Sequence, residues 1–140
     1  MNVDGVDNGI VIDHIEAGQS MRLYELLGLD RLDCSVAIIK NVSSRKYGRK
    51  DIIKIDELID LDFDALGYID PKITVNEVKN GQLERKRHLA LPQVLTNVVS
   101  CKNPRCITSV EDDADQVFRL SDPDRRLYRC VYCEVAPEKV

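Results

Sequence analysis

The chain has 140 residues, 44% hydrophobic and 31% charged, which suits a folded protein with one moderate core and a small satellite and excludes a disordered chain. Its 24 acidic residues outweigh 20 basic ones for a net charge of -4, a balance that argues against a general nucleic-acid binder. No apolar run approaches the roughly 20 residues of a bilayer-spanning helix, and Met1-Asn-Val-Asp-Gly-Val-Asp7 lacks the basic start and apolar run of a signal peptide, so a cytoplasmic protein is expected.

In chain order, Ile10-Val-Ile-Asp-His-Ile15 follows the turn signal Asn8-Gly9 and predicts a strand, with a shorter strand-like segment before it. Alternation along that strand sends Asp13 and His14 to opposite faces. Taken alone, His14 reads as a structural histidine or as a ligand contact. Ser20 predicts a helix cap, Leu23, Leu26 and Leu27 supply the apolar stripe, and Gly28 the stop. A strand over Ser35 to Val42, a loop over Ser43 to Gly48 and a strand over Lys50 to Ile55 make a hairpin-like pair. A second helix is expected over Asp62 to Leu66, with Gly67 after its last turn. Ile73 to Val78 and Gln82 to Arg87 flank Asn80-Gly81, the strongest short hairpin signal.

This order predicts an α+β fold whose first domain, residues 1–92, is a ferredoxin-like split βαβ unit: an antiparallel sheet with both helices on one face. The junction is expected at Leu91-Pro92, because a residue before proline is driven out of the helical region. Residues 93–140 form a piece so small that metals or disulfides are usually needed to hold it. Four of the five cysteines fall there, as Cys101-Lys-Asn-Pro-Arg-Cys106 and Cys130-Val-Tyr-Cys133. Two close pairs of thiolates suit one tetrahedral ion, with zinc favoured by ligand softness, and a closed set of four leaves no open position for catalysis. Two disulfides or free buried thiols are the alternative. Between the pairs, Gln116 to Leu120 and Arg126 to Cys130 predict strands joined by a turn at Ser121-Asp-Pro-Asp124, giving a small antiparallel β domain. Cys34, without a near partner, reads as a small structural residue or a reactive thiol.

Lys50 and Lys54 lie four apart on one strand and so on one face, and the hairpin adds Glu84-Arg-Lys-Arg87. Such charges make a solvated face, or an anion pocket in which lysines from two strands meet a polyphosphate beside Asp13 and His14. No glycine-rich phosphate loop is present, so a nucleotide would be held by side chains and strand edges, which argues for sensing rather than phosphoryl transfer. Two histidines give no nucleophile and base constellation.

Gly9-Ile-Val-Ile-Asp-His-Ile15, Gly48-Arg-Lys-Asp-Ile-Ile-Lys-Ile55, Thr74-Val-Asn76 and the C-x4-C and C-x2-C pairs, in this order, closely resemble the regulatory chain of aspartate carbamoyltransferase. The resemblance implies an N-terminal allosteric domain that binds nucleoside triphosphates (CTP and ATP) and associates as a regulatory dimer. It also implies a C-terminal domain with one structural zinc that contacts the catalytic chains of this enzyme of pyrimidine biosynthesis, and a chain that performs no chemistry itself. The nucleotide site it implies comprises Asp13, His14, Lys50, Lys54, Asn76, Val78, Leu83 and Lys86, with Arg85, Arg87 and His88 as neighbours that can share the role of Lys86. The strand edge from Val3 to Val6, together with Val11, would read the base through backbone groups. The zinc ligands it implies are Cys101, Cys106, Cys130 and Cys133. A free-standing zinc-ribbon protein binding nucleic acid is the competing reading, and the acidic run Glu111-Asp-Asp-Ala-Asp115 counts against it.

Overall fold

A computed structural model of the chain describes residues 5–46 and 48–137, which divide into two compact units, Met1–Ala90 and Leu91–Val140. Val3 and Asp4, and with them most of the expected first strand edge, lie outside the described residues; Val6 is buried in irregular backbone.

The first unit runs β1 (Gly9–Glu16), α1 (Ser20–Leu26), β2 (Val36–Ser44), β3 (Gly48–Ile55), α2 (Phe63–Ile69), β4 (Thr74–Lys79) and β5 (Gln82–His88). Its five strands form one antiparallel sheet in the order β2-β3-β1-β4-β5, the split βαβ arrangement with an added edge strand. Ile10 and Ile12 of β1, Ile53 and Ile55 of β3 and Val75 of β4 point to one face, where they pack with Leu23 of α1 and Leu66 of α2. Both helices therefore cover the same side, and the opposite face of the sheet carries the alternate residues. Asn80 and Gly81 take positive φ (53° and 74°) in the β4–β5 turn, as a two-residue hairpin requires.

Three local expectations are corrected. Ser20 does not cap α1: Gln19 holds the cap position without a side-chain bond, and Ser20 is the first helical residue. The acceptor comes from the next strand but one, where the buried carboxylate of Asp51 takes the backbone N–H groups of Gly18 (3.0 Å) and Ser20 (3.2 Å) on Oδ2 and that of Asn41 (2.8 Å) on Oδ1. Gly67 does not stop α2, which Asp62 caps through Ala65 N–H (3.0 Å) and which continues to Ile69. Gly67 is there because any Cβ would strike the carbonyl oxygen of Ala90, where the chain leaves the unit. Alternation also fails at Asp13 and His14. A bulge between Ile12 and Ile15, with His14 at φ 58°, keeps both isoleucines in the core and holds Asp13 and His14 away from it.

The second unit is a three-stranded antiparallel sheet, β6-β7-β8 (Val94–Thr96, Val117–Asp122, Leu127–Cys130), with a short helix α3 (Ile107–Val110). β6 and α3 were not expected, and the turn falls later than Ser121–Asp124, closing from Arg126 N to Pro123 O at 3.2 Å. The strands' inner row is Leu95, Phe118 and Cys130, all buried, and Tyr128 beside them donates its hydroxyl to Pro92 O at 2.6 Å. No described helix is long and apolar enough to cross a membrane.

Candidate functional site

Register places the expected site residues that are paired in the ladders on the sheet face away from the helices. Lys54 on β3 pairs with Val11 on β1, Val11 with Asn76 on β4, and Asn76 with Lys86 on β5, so one cross-strand row runs through four strands and continues to Ala37 on β2. Directly paired side chains share a face and stand about 5 Å apart. The next row toward the end of β1 holds Asp13, Thr74 and His88. On the other side, Gly9, Val78 and Leu83 make an apolar border, with Leu83 exposed.

The polar groups on this face are coupled. Lys50 Nζ reaches the Asp13 carboxylate at 3.0 Å with both side chains less than a fifth exposed, and the same carboxylate accepts the His14 backbone N–H at 2.6 Å. His14 Nδ1 lies 2.9 Å from the hydroxyl of Thr74. Burial pushes the His14 imidazole below its usual pKa; Asp13 opposes this, while Lys50, Lys86 and Lys46 add to it. Lysines from two strands and the β2–β3 turn thus act on one histidine. In the middle of the row, the side-chain oxygen of Asn76 is buried without a hydrogen-bond partner. An unsatisfied buried amide oxygen costs about 1–3 kcal/mol and marks a place where a further polar group would be stabilising.

The hairpin register separates the basic residues of β5. Lys86 and His88 pair with Asn76 and Thr74 on the outer face. Arg85 and Arg87 pair with Glu77 and Val75 instead and line a cleft with Leu58, Ile59 and Asp60 on the helix side. There Arg87 lies 3.6 Å from Glu77 and 4.5 Å from the ring centre of Phe63.

In the second unit, the ligand atoms of Cys101, Cys106, Cys130 and Cys133 all lie within 4.8 Å of one another. Cys101 and Cys133 sulfurs are 3.5 Å apart and those of Cys106 and Cys130 3.7 Å. A tetrahedron with metal–sulfur bonds of about 2.3 Å has edges of about 3.8 Å. Disulfides would need about 2.05 Å, and all four are free thiols. Each sulfur faces the backbone N–H of the residue two positions on: Asn103, Thr108, Tyr132 and Val135 respectively. Burial still pushes Cys101 up to about 12, while the Thr108 hydroxyl (3.2 Å) and N–H pull Cys106 down to about 7. Donors on every sulfur stabilise thiolates, so the donor set fits a soft divalent cation. Gln116 fixes the first cysteine loop from β7's edge, accepting Cys101 N–H (2.9 Å) and donating to Thr108 O (2.9 Å).

Residues 1–90 match the family described as aspartate carbamoyltransferase regulatory chain, allosteric domain, and residues 93–139 the family described as aspartate carbamoyltransferase regulatory chain, metal binding domain. The chain belongs to the aspartate carbamoyltransferase regulatory chain family. It is 45% identical over 134 residues to the protein of that name from Clostridium botulinum, covering 96% of this chain and 92% of the relative. The Clostridium tetani protein of that name is 44% identical over 135 residues (96% and 94%), and the Bifidobacterium longum one 42% over 134 (96% and 96%). The family's metal-binding domain thus covers the second unit, and the cysteine cluster lies within the matched residues.

The residues that sequence reasoning missed are structural partners of the site. Asp51 lies within the Gly48 to Ile55 motif, but its three backbone donors are remote in sequence. Thr108 and Gln116 carry no spacing signal at all, since hydroxyl and amide side chains abound in loops.

Proposed function

We propose that the chain is a non-catalytic regulatory subunit that senses nucleoside triphosphates on the outer face of its first unit and modulates aspartate carbamoyltransferase catalytic chains in pyrimidine biosynthesis. The observation that carries this reading is the row of Lys54, Val11, Asn76 and Lys86, with an unsatisfied amide between two ammonium groups. Lys50, Lys54, Lys86 and His14 would hold the phosphates, Asp13 and Asn76 the sugar and its links, and Val6, Val11, Val78 and Leu83 the base. CTP and ATP would compete there, since one set of lysines serves both. A nucleotide alters catalysis only by binding one quaternary state more tightly than another, and couplings of about 1–3 kcal/mol change activity several-fold to a hundredfold.

The four cysteines would hold one zinc, which supplies a tetrahedral cross-link rather than catalysis. That cross-link would organise the surface by which the second unit meets catalytic chains, while the first unit pairs with a second copy to make a regulatory dimer. A biosynthetic role of this kind is cytoplasmic and involves neither nucleic acid nor membrane. The test is calorimetry on Lys54→Ala, which removes a charge-assisted contact worth about 1.5–3 kcal/mol. CTP and ATP should both bind markedly more weakly, and the reconstituted enzyme should lose its nucleotide response while isolated catalytic chains are unchanged. Equal binding by variant and parent overturns the site, and a parent that binds neither nucleotide overturns the sensing role.

A further inference from the structure

Where the first turn of α1 meets the end of α2, on the helix side of the sheet, lies a cavity of about 170 Å³. Its apolar wall is Ile15, Leu23, Ile69 and Ile73, and its polar groups belong to Glu16, Gln19, Arg22 and Asp70. Asp70 is only 6% exposed and is fastened at three points: its N–H donates to Leu66 O (2.9 Å), its carbonyl accepts Ile73 N–H (3.2 Å), and Oδ1 accepts Lys72 N–H (2.9 Å). Oδ2 is buried and has no hydrogen-bond partner, and among the described residues no ion pair reaches Asp70 or Glu16. A buried carboxylate in that state is costly, and a donor that is also a cation stabilises it most.

Arg22 lines the same cavity, its Nη1 3.5 Å from Gln19 Oε1. Set against two carboxylates, it leaves one negative charge unmatched. A hard divalent metal suits the place poorly, since such ions take about six or more oxygens. Among the described residues, moreover, only the four cysteines of the second unit group as three or more metal ligands. The apolar wall adds a second requirement, a hydrocarbon portion. At about 30 Å³ for each water-sized group, roughly five or six non-hydrogen atoms fill the cavity.

We propose that this cavity binds a primary alkylammonium ion with a short stem, whose ammonium donates to Asp70 and Glu16 while the stem lies along Ile15, Leu23, Ile69 and Ile73. An ammonium has three donors and no acceptor, which matches an orphaned carboxylate oxygen beside a second carboxylate. The site lies apart from the outer face and does not rest on the nucleotide reading. A ligand that joins α1 to the end of α2 binds the folded unit and not the unfolded one, so it raises the thermal midpoint of the first unit.

The experiment is a titration of the full chain with n-butylammonium, followed by backbone amide chemical shifts. 1-Butanol supplies the stem without the charge, and ammonium chloride the charge without the stem. Saturable shifts are expected at Gln19, Leu23 and Ile73 with a dissociation constant of about 1–10 mM, as suits so small a ligand, and both comparison compounds should bind at least about tenfold more weakly. Asp70→Asn keeps an oxygen for Lys72 N–H and should weaken n-butylammonium about tenfold or more. Glu16→Gln, at an exposed position, makes the same comparison without a buried change and should weaken it about threefold or more. Arg22→Gln should bind at least as tightly as the parent. Absence of saturable shifts, equal binding of 1-butanol, or unchanged affinity in either carboxylate variant overturns the proposal. Binding that appears only in Arg22→Gln also overturns it, because Arg22 is then the cation that Asp70 uses.

Discussion

Ser20, the first residue of α1, donates its backbone N–H to Oδ2 of Asp51 on β3 at 3.2 Å, and the same carboxylate holds Asn41 in the irregular stretch of β2. One side chain therefore fixes a helix start and a strand bulge. Asp51→Ala should cost about 3–5 kcal/mol, because three backbone donors lose a charged buried acceptor. Asp51→Asn, which keeps one acceptor oxygen, should cost less. Burial raises the Asp51 pKa, but its donors at Ser20, Asn41 and Gly18 outweigh this and hold it below the usual carboxylate range. The folded state thus binds fewer protons than the unfolded one. Its contribution is complete above about pH 4 and disappears as pH falls through the folded value. Urea melts from pH 7 to 3 should show this acid slope flattened in Asp51→Asn.

For His14 the sign is fixed by a lowered pKa in a basic group. The unfolded chain takes up a proton near pH 6.5 that the folded chain takes up only at lower pH. Stability is therefore undiminished above about pH 6.5 and falls as pH drops below it. Anion binding has the opposite slope, because the protonated imidazole attracts phosphate. His14→Gln should flatten both dependences between about pH 5.5 and 7.5. Nucleotide affinity that weakens on acidification in the parent would refute the second.

Gly67→Ala sets two effects against each other. Alanine in a helix interior is favoured over glycine by about 1 kcal/mol. The new methyl group must displace the Ala90 carbonyl, a backbone atom, and overpacking of that kind costs about 1–3 kcal/mol. The close approach decides, and the thermal midpoint of the first unit should fall. A rise would mean that the chain at Ala90 yields freely.

Metal removal should separate the two units. Chelation, or Cys130→Ala, should unfold the second unit and abolish assembly with catalytic chains while calorimetric nucleotide binding by the first unit persists. Thr108→Val removes the hydroxyl 3.2 Å from the Cys106 sulfur and should weaken metal affinity about tenfold with the fold intact. Metal analysis returning no stoichiometric zinc, or a metal-free chain that still assembles, defeats this account.

Much of the architecture was legible because its signals are local. The β-branched runs of β1 and β3, Asn80-Gly81 and the stripe through Leu23 each determine an element by short-range sterics and periodicity. What escaped depends on neighbours remote in sequence. Ser20 resembles a cap, but a carboxylate 31 positions away does the capping. Gly67 resembles a stop, but its lack of a side chain answers to Ala90. The opposition of Asp13 and His14 followed from strand alternation, and the bulge that cancels it has no sequence mark in a His with positive φ. At the candidate site, residue types and order were visible. Whether Lys86 or Arg87 faces outward was not, since that depends on the bulge between Glu77 and Val78 in the hairpin register.

That bulge makes the outer face of the hairpin a matter of counting. The row from Lys54 to Lys86 draws one residue from each of four strands. If β5 slipped by a single position, Lys86 would turn inward and Arg87 would leave Phe63 for the solvent side, because side chains on a strand alternate. Closing the bulge with every residue kept has the same effect, since Lys86 would then stand opposite Val75 rather than Asn76. Glu84, unpaired between Leu83 and Arg85, is thus a one-residue spacer that decides which side of β5, Lys86 and His88 or Arg85 and Arg87, stands on the outer face beside Asn76.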